Sequence, residues 1–198
     1  MPTAPGYPGS AARCRGVTLV ELMLAMTITA IIGLTVSAML AAASYGTSSS
    51  RDLRELVVRS KTLGSRINAA IQQADRVLAI GDDFIVLWTD ADRDGEPSLH
   101  ELRRLTFDSE QGRLTAAAAA ADAPSTAWTL DDDFKAITDA LMAGNDFPAR
   151  VWASRVSHWQ ITPDASDPQA IRLISHRLTL TAGDLHESSI HAAALRNH

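Results

Sequence analysis

The sequence predicts an α+β chain: a long N-terminal helix, transmembrane and then amphipathic, packed on a C-terminal antiparallel sheet. Three observations carry this reading. Residues 17–43 are 27 positions whose one charge is Glu21. Beyond them, Leu53, Leu56, Leu63, Ile67, Ile71 and Val77 recur at helical spacing, with Arg51, Arg54, Glu55, Arg59, Lys61, Arg66 and Asp75 between them. After Gly81 come short apolar or alternating runs divided by turn residues.

The apolar run sets the first element. A helix of that length rises about 40 Å, more than the roughly 30 Å hydrocarbon core of a bilayer. Arg13 and Arg15 precede it without an acid, which orients the N-terminus to the cytoplasm and the bulk of the chain outside. A cleaved secretory signal is the plainer alternative, since Ala41, Ala42 and Ala43 precede Ser44 in a small-residue pattern. A signal core of 7 to 15 residues is shorter than this run and does not hold a carboxylate. An uncleaved signal anchor is the other plain alternative. Glu21 needs a reason, because a carboxylate at membrane depth costs several kcal/mol. Snorkelling to the near interface is one.

Residues 44–50, SYGTSSS, are poor helix formers and predict a loosened turn. The amphipathic helix then continues to residue 80, where Gly81 stops it. Ser60, Ala70 and Ala74 fall on its seam, which suits packing on the chain's own sheet better than a free coiled coil. Residues 84–88 read as a buried strand and 99–107 as its hairpin partner. Residues 115–127, with six consecutive alanines from Ala116, show no face to bury and read as a variable loop. A short helix is expected over 130–143, capped by Thr129 with Asp132 and ended by Gly144. Strands over 151–161, 171–181 and 189–195 complete the chain.

Bulk properties narrow the function. The 198 residues carry a formal charge of −5 and no basic cluster beyond short groups such as Arg103-Arg104, so nucleic-acid binding has little electrostatic support. The single cysteine, Cys14, excludes a disulfide framework or cysteine-based zinc site. No HExxH, Gly-x-Ser-x-Gly, P-loop or GxGxxG element is present, and His186 and His191 would fall on opposite faces of one strand. The expectation is a non-enzyme. Trp88, Trp128, Trp152 and Trp159 read as core or sheet-face residues, and Asp131, Asp132 and Asp133 as acids in a helix first turn rather than a metal site.

One loop has ligand spacing. Asp90, Asp92 and Asp94 with Gly95, then Glu96, Ser98 and Glu101, set acids at positions 1, 3 and 5 of a calcium loop, glycine at 6, a hydroxyl at 9 and glutamate at 12. Pro97 at the eighth position and a strand for a flank count against it. A polar hairpin turn is the alternative. No cofactor is required; calcium is the one candidate ion.

The order Gly16-Val17-Thr18-Leu19-Val20-Glu21, running straight into the apolar stretch, resembles the N-terminal signature of type IV pilins and type II secretion pseudopilins. The resemblance implies cleavage by a prepilin peptidase between Gly16 and Val17, methylation of Val17, and Glu21 as the fifth mature residue. That residue would meet the freed amine of a neighbouring subunit and fix register in assembly. Val17 stands where phenylalanine is usual. The implied division is a leader of 1–16, an assembly helix over 17–43, its amphipathic continuation over 44–80, and an extracytoplasmic domain over 81–198. The implied role is a structural subunit of a secretion pseudopilus or type IV pilus-like filament, in size nearest a J-type minor pseudopilin or W-type minor pilin. Its partners would be the peptidase, other subunits, the inner-membrane assembly platform and the bilayer. The competing role is a membrane-anchored calcium- or ligand-binding module that never polymerises.

Overall fold

The computed structural model describes residues 18–144 and 146–196, side chains excepted at 43–51. It is α+β: an N-terminal apolar helix followed by a shorter helix and antiparallel sheets. The chain divides into two units, 1–49 and 50–198. Helix α1 (Leu19–Gln73) supplies its first part to one and its second part to the other. The loosened turn expected at 44–50 is not seen, because the helix backbone runs through it. One glycine costs only about 1 kcal/mol in a helix interior.

In the second unit, Leu56, Leu63, Ile67, Ala70 and Ile71 form the buried stripe of α1, as the helical spacing requires. A five-stranded sheet runs in the order β1 (Arg76–Ile80), β2 (Phe84–Trp88), β3 (Leu102–Asp108), β4 (Arg113–Ala118), β5 (Ala149–Ser154). Helix α2 (Phe134–Ala143) precedes β5 in the chain. A three-stranded sheet, β6 (Val156–Pro163), β7 (Leu173–Ala182) and β8 (Leu185–Ala194), follows.

Strand β2 explains its own sequence. All five of its residues are buried: Ile85 and Leu87 join the core formed with α1, while Phe84, Val86 and Trp88 join a second core with Phe134 of α2 and Phe147. A strand covered on both faces has no polar positions to alternate with. Strand β7 has one covered face, and Ile174, His176, Leu178 and Leu180 alternate with exposed or half-buried neighbours.

Four expectations are corrected. The helix ends at Gln73, and residues 76–80 form β1 instead. Val77 satisfies either period, and pairing with Leu87 in an antiparallel ladder decides for the strand. Gly81 is a tight turn between β1 and β2, its N–H donating to the Phe84 carbonyl at 2.9 Å, and a Cβ there would stand 2.4 Å from the Phe84 ring. The alanine segment is no loop at its start: Ala116, Ala117 and Ala118 belong to β4, with Ala116 in one core and Ala117 in the other. The expected strand over 151–161 is two strands in different sheets, bent at Arg155, whose φ of 63° is left-handed. Helix α2 starts later than expected, at Phe134, capped by Asp133, which accepts the N–H groups of Lys135 and Ala136. Thr129 and Asp132 close a separate turn before it.

Candidate functional site

Gly16 and Val17 lie outside the described residues. Helix α1 opens immediately after them. The Thr18 carbonyl accepts the Leu22 N–H at 3.1 Å, and Thr18 Oγ1 accepts the Glu21 N–H at 3.3 Å. Thr18 is therefore the helix cap, and Glu21 occupies the third helical position, where a capping-box glutamate sits and where the helix dipole favours an acid. This local role escaped the sequence reading, although Thr-x-x-Glu is its signature. The side chain of Glu21 is exposed.

From Leu19 to Ala42 the helix has a mean hydropathy of 2.1 with none of its residues buried, and it is long enough to cross a membrane. Its threonine hydroxyls are satisfied within the helix. Thr27 donates to the Met23 and Leu24 carbonyls at 3.1 and 2.9 Å, Thr29 to Ala25 at 2.7 Å, and Thr35 to Ile32 at 2.8 Å. In hydrocarbon, where no water is available, such internal pairing is what makes a threonine tolerable.

The acidic loop joins β2 to β3. Carboxylate oxygens of Asp90, Asp92 and Asp94 lie within 4.8 Å of one another, Asp90 half-buried and the other two exposed. Glu96, Ser98 and Glu101 stand outside that cluster. Asp92 accepts the Asp94 N–H at 3.2 Å and Asp94 accepts the Glu96 N–H at 2.8 Å, the Asx bonds of a turn. Glu101 reaches back to the start of the loop and gathers four donors. Its Oε1 takes the Ala91 N–H at 2.6 Å; its Oε2 takes Trp88 Nε1 at 3.2 Å, the Ser98 N–H at 3.2 Å and Ser98 Oγ at 3.0 Å. Burial alone would raise the Glu101 carboxyl, but these bonds outweigh it and hold it below the usual carboxylate range. Asp90 Oδ1 is buried and takes no hydrogen bond among the described residues.

The other candidates resolve as follows. Asp133 is a cap and Asp132 a turn residue. The tryptophans divide between the two cores: Trp159 and Trp152 with α1, Trp88 and Trp128 with α2. His186 and His191 do fall on opposite faces of β8, and His191 instead stacks on His176, which pairs with it in register on β7, at 5.3 Å between ring centroids. His176 is buried, and its Nε2 lies 3.0 Å from Asn68 Oδ1 on α1. Nothing in the spacing of single residues reveals that pair; it needs the β7–β8 register.

Residues 11–37 match the family described as the prokaryotic N-terminal methylation motif. Neither a curated protein nor a solved structure matches the chain. The chain thus carries the methylation signal of type IV pilin-like precursors, which prepilin peptidases process, and the match takes in most of the exposed apolar helix.

Proposed function

We propose that the chain is a structural subunit, a minor pseudopilin or minor pilin, of a type II secretion pseudopilus or type IV pilus-like filament. The observation that carries this reading is the methylation motif set against the apolar helix, with Glu21 in its first turn. In this reading the peptidase removes residues 1–16 by cutting after Gly16, and Val17 becomes the methylated N-terminus. The new amine has an unperturbed pKa near 8 and is mostly cationic at neutral pH. Set against Glu21 of an adjacent subunit, it compensates a charge that lipid would otherwise penalise. The basic residues Arg13 and Arg15 hold the N-terminus in the cytoplasm. The domain following α1 stands in the periplasm, and the assembly platform and sister subunits engage the helix. The role is structural, not enzymatic.

Glu21 has two jobs in prospect, capping and charge pairing, and one pair of variants separates them. Glutamine keeps the capping geometry and removes the charge. Both Glu21→Gln and Glu21→Ala should insert in the membrane normally and be lost from purified filaments, by about tenfold or more. Normal incorporation of the glutamine variant would refute the pairing.

A second reading, a membrane-anchored calcium module, is favoured by the buried Asp90 Oδ1 and the clustered oxygens around it. Titration of the full chain in detergent with calcium decides it. An affinity of about 10⁻⁴ to 10⁻³ M is expected of an extracellular site, and no heat and no thermal shift at millimolar calcium would leave the loop a turn.

A further inference from the structure

The alanine run gives the sheet an unusual surface. Cross-strand partners share a face, and on the face of β4 turned toward α1, Ala116 pairs with Arg150 of β5 while Ala118 pairs with Arg103 of β3. A methyl at these positions, where strands commonly carry branched or aromatic side chains, leaves a recess between α1 and the two arginines. Trp152 closes one end of it, with the Arg66 guanidinium 5.0 Å from the ring centroid. Past Trp152 the recess meets a second one bordered by Val58 and Leu63 of α1.

Four consecutive residues of β5, Val151, Trp152, Ala153 and Ser154, line that second part. Trp152 is the extra residue of a bulge here, since Thr115 pairs with Val151 and Leu114 with Ala153, and the bulge brings neighbouring residues of the strand to one depression. Strand β5 ends its sheet, and its ladder partner is β4. An open edge of N–H and C=O groups is a template for another strand.

The charge lining these two recesses has one sign, while Asp52 and Glu55 border the hollow beyond Ser154. Arg59, Arg66, Arg103 and Arg150 line the two recesses and no carboxylate does, in a chain whose net charge is −5. Arg59 is paired with Glu55 at 2.6 Å. Among the described residues, Arg66, Arg103 and Arg150 make no ion pair.

We propose that the β5 edge and the arginine-rimmed alanine recess beside it are a docking surface for an extended acidic segment of another protein. That segment pairs its backbone with β5 and sets carboxylates against Arg150 of β5 and Arg66 of α1, the arginines nearest the edge. Every residue in the surface belongs to the second unit. It does not depend on how the N-terminus is processed, and the failure of either reading leaves the other standing.

The test is fluorescence anisotropy on the full chain in detergent. The probes are a capped peptide of about eight residues, one strand long, alternating glutamate with valine, the same peptide with lysine, and a version with alternate backbone nitrogens methylated. The acidic peptide should bind saturably, with the lysine and N-methylated peptides weaker by about tenfold or more. Arg150→Gln, at an exposed position of β5, should weaken binding by about tenfold or more with thermal unfolding unchanged. Ala118→Ser, two strands away from the added one, should bind like the parent. Equal binding of the lysine peptide, or indifference to backbone methylation or to Arg150→Gln, would overturn the proposal. So would displacement of the peptide by a single-stranded oligonucleotide, or a homodimer that Arg150→Gln dissolves, since each assigns the surface to another occupant.

Discussion

His176 shows how much one residue's surroundings decide. It is buried against His191, with Asn68 Oδ1 at 3.0 Å from Nε2. With Oδ1 as acceptor the ring donates from Nε2, and among the described residues Nδ1 is buried without a partner. Burial, reinforced by the charge of His191, pushes the His176 pKa down to about 4. The linkage sign follows. Above the unfolded value of 6.5 both states are neutral and stability is unaffected. Below it the unfolded chain takes up a proton that the native ring refuses, so stability falls until the pH drops through about 4. The loss is about 3 kcal/mol at most. Urea midpoints of the full chain in detergent should fall between pH 7 and pH 4.5, and His176→Phe should remove a large part of that dependence. The same pair constrains the helix above it. A Cβ on Gly64 would stand 2.1 Å from His191 Nε2, and the ring is held in its stack. Gly64→Ala should destabilise by about 1–2 kcal/mol, overpacking outweighing the better helix propensity; a raised urea midpoint would contradict the close approach.

At the scale of elements, propensity and pattern were legible where a segment's own residues decide its state. The buried stripe of α1 and the apolar run of β2 follow from spacing alone. Element boundaries failed where tertiary pairing decides. Residues 76–80 fit a helix by period, and only their ladder with β2 makes them a strand. Ala116 and Ala117 have no strand signal of their own; they are held between β3 and β5. The bend at Arg155 occupies left-handed backbone without a glycine to announce it. In the acidic loop the ligand spacing could be read directly, but the engagement of Glu101 by Trp88 and Ser98 depends on how β2 and β3 align. Helix α2 offers a direct check of capping. Its expected cap, Thr129 with Asp132, closes a turn, while Asp133 holds the first free N–H groups of the helix. Asp133→Ala should cost about 1 kcal/mol in urea unfolding, and Thr129→Ala should leave α2 itself intact by amide exchange.

For the whole molecule, the two units answer to different solvents. The helix over Leu19–Ala42 exposes its large apolar side chains all round, a surface that suits lipid or sister helices and not water. The second unit buries two cores against α1 and α2 and has the charge-bearing surface of a water-exposed domain. A membrane anchor joined to a folded domain accounts for both, and the methylation motif at 11–37 marks the chain as a prepilin-peptidase substrate. That processing is the central claim, and the intact mass of the protein extracted from membranes tests it most directly. The account predicts a chain that begins at Val17, has lost residues 1–16 and carries one added methyl group. A chain that still begins at Met1, or one that begins at Ser44, would contradict it.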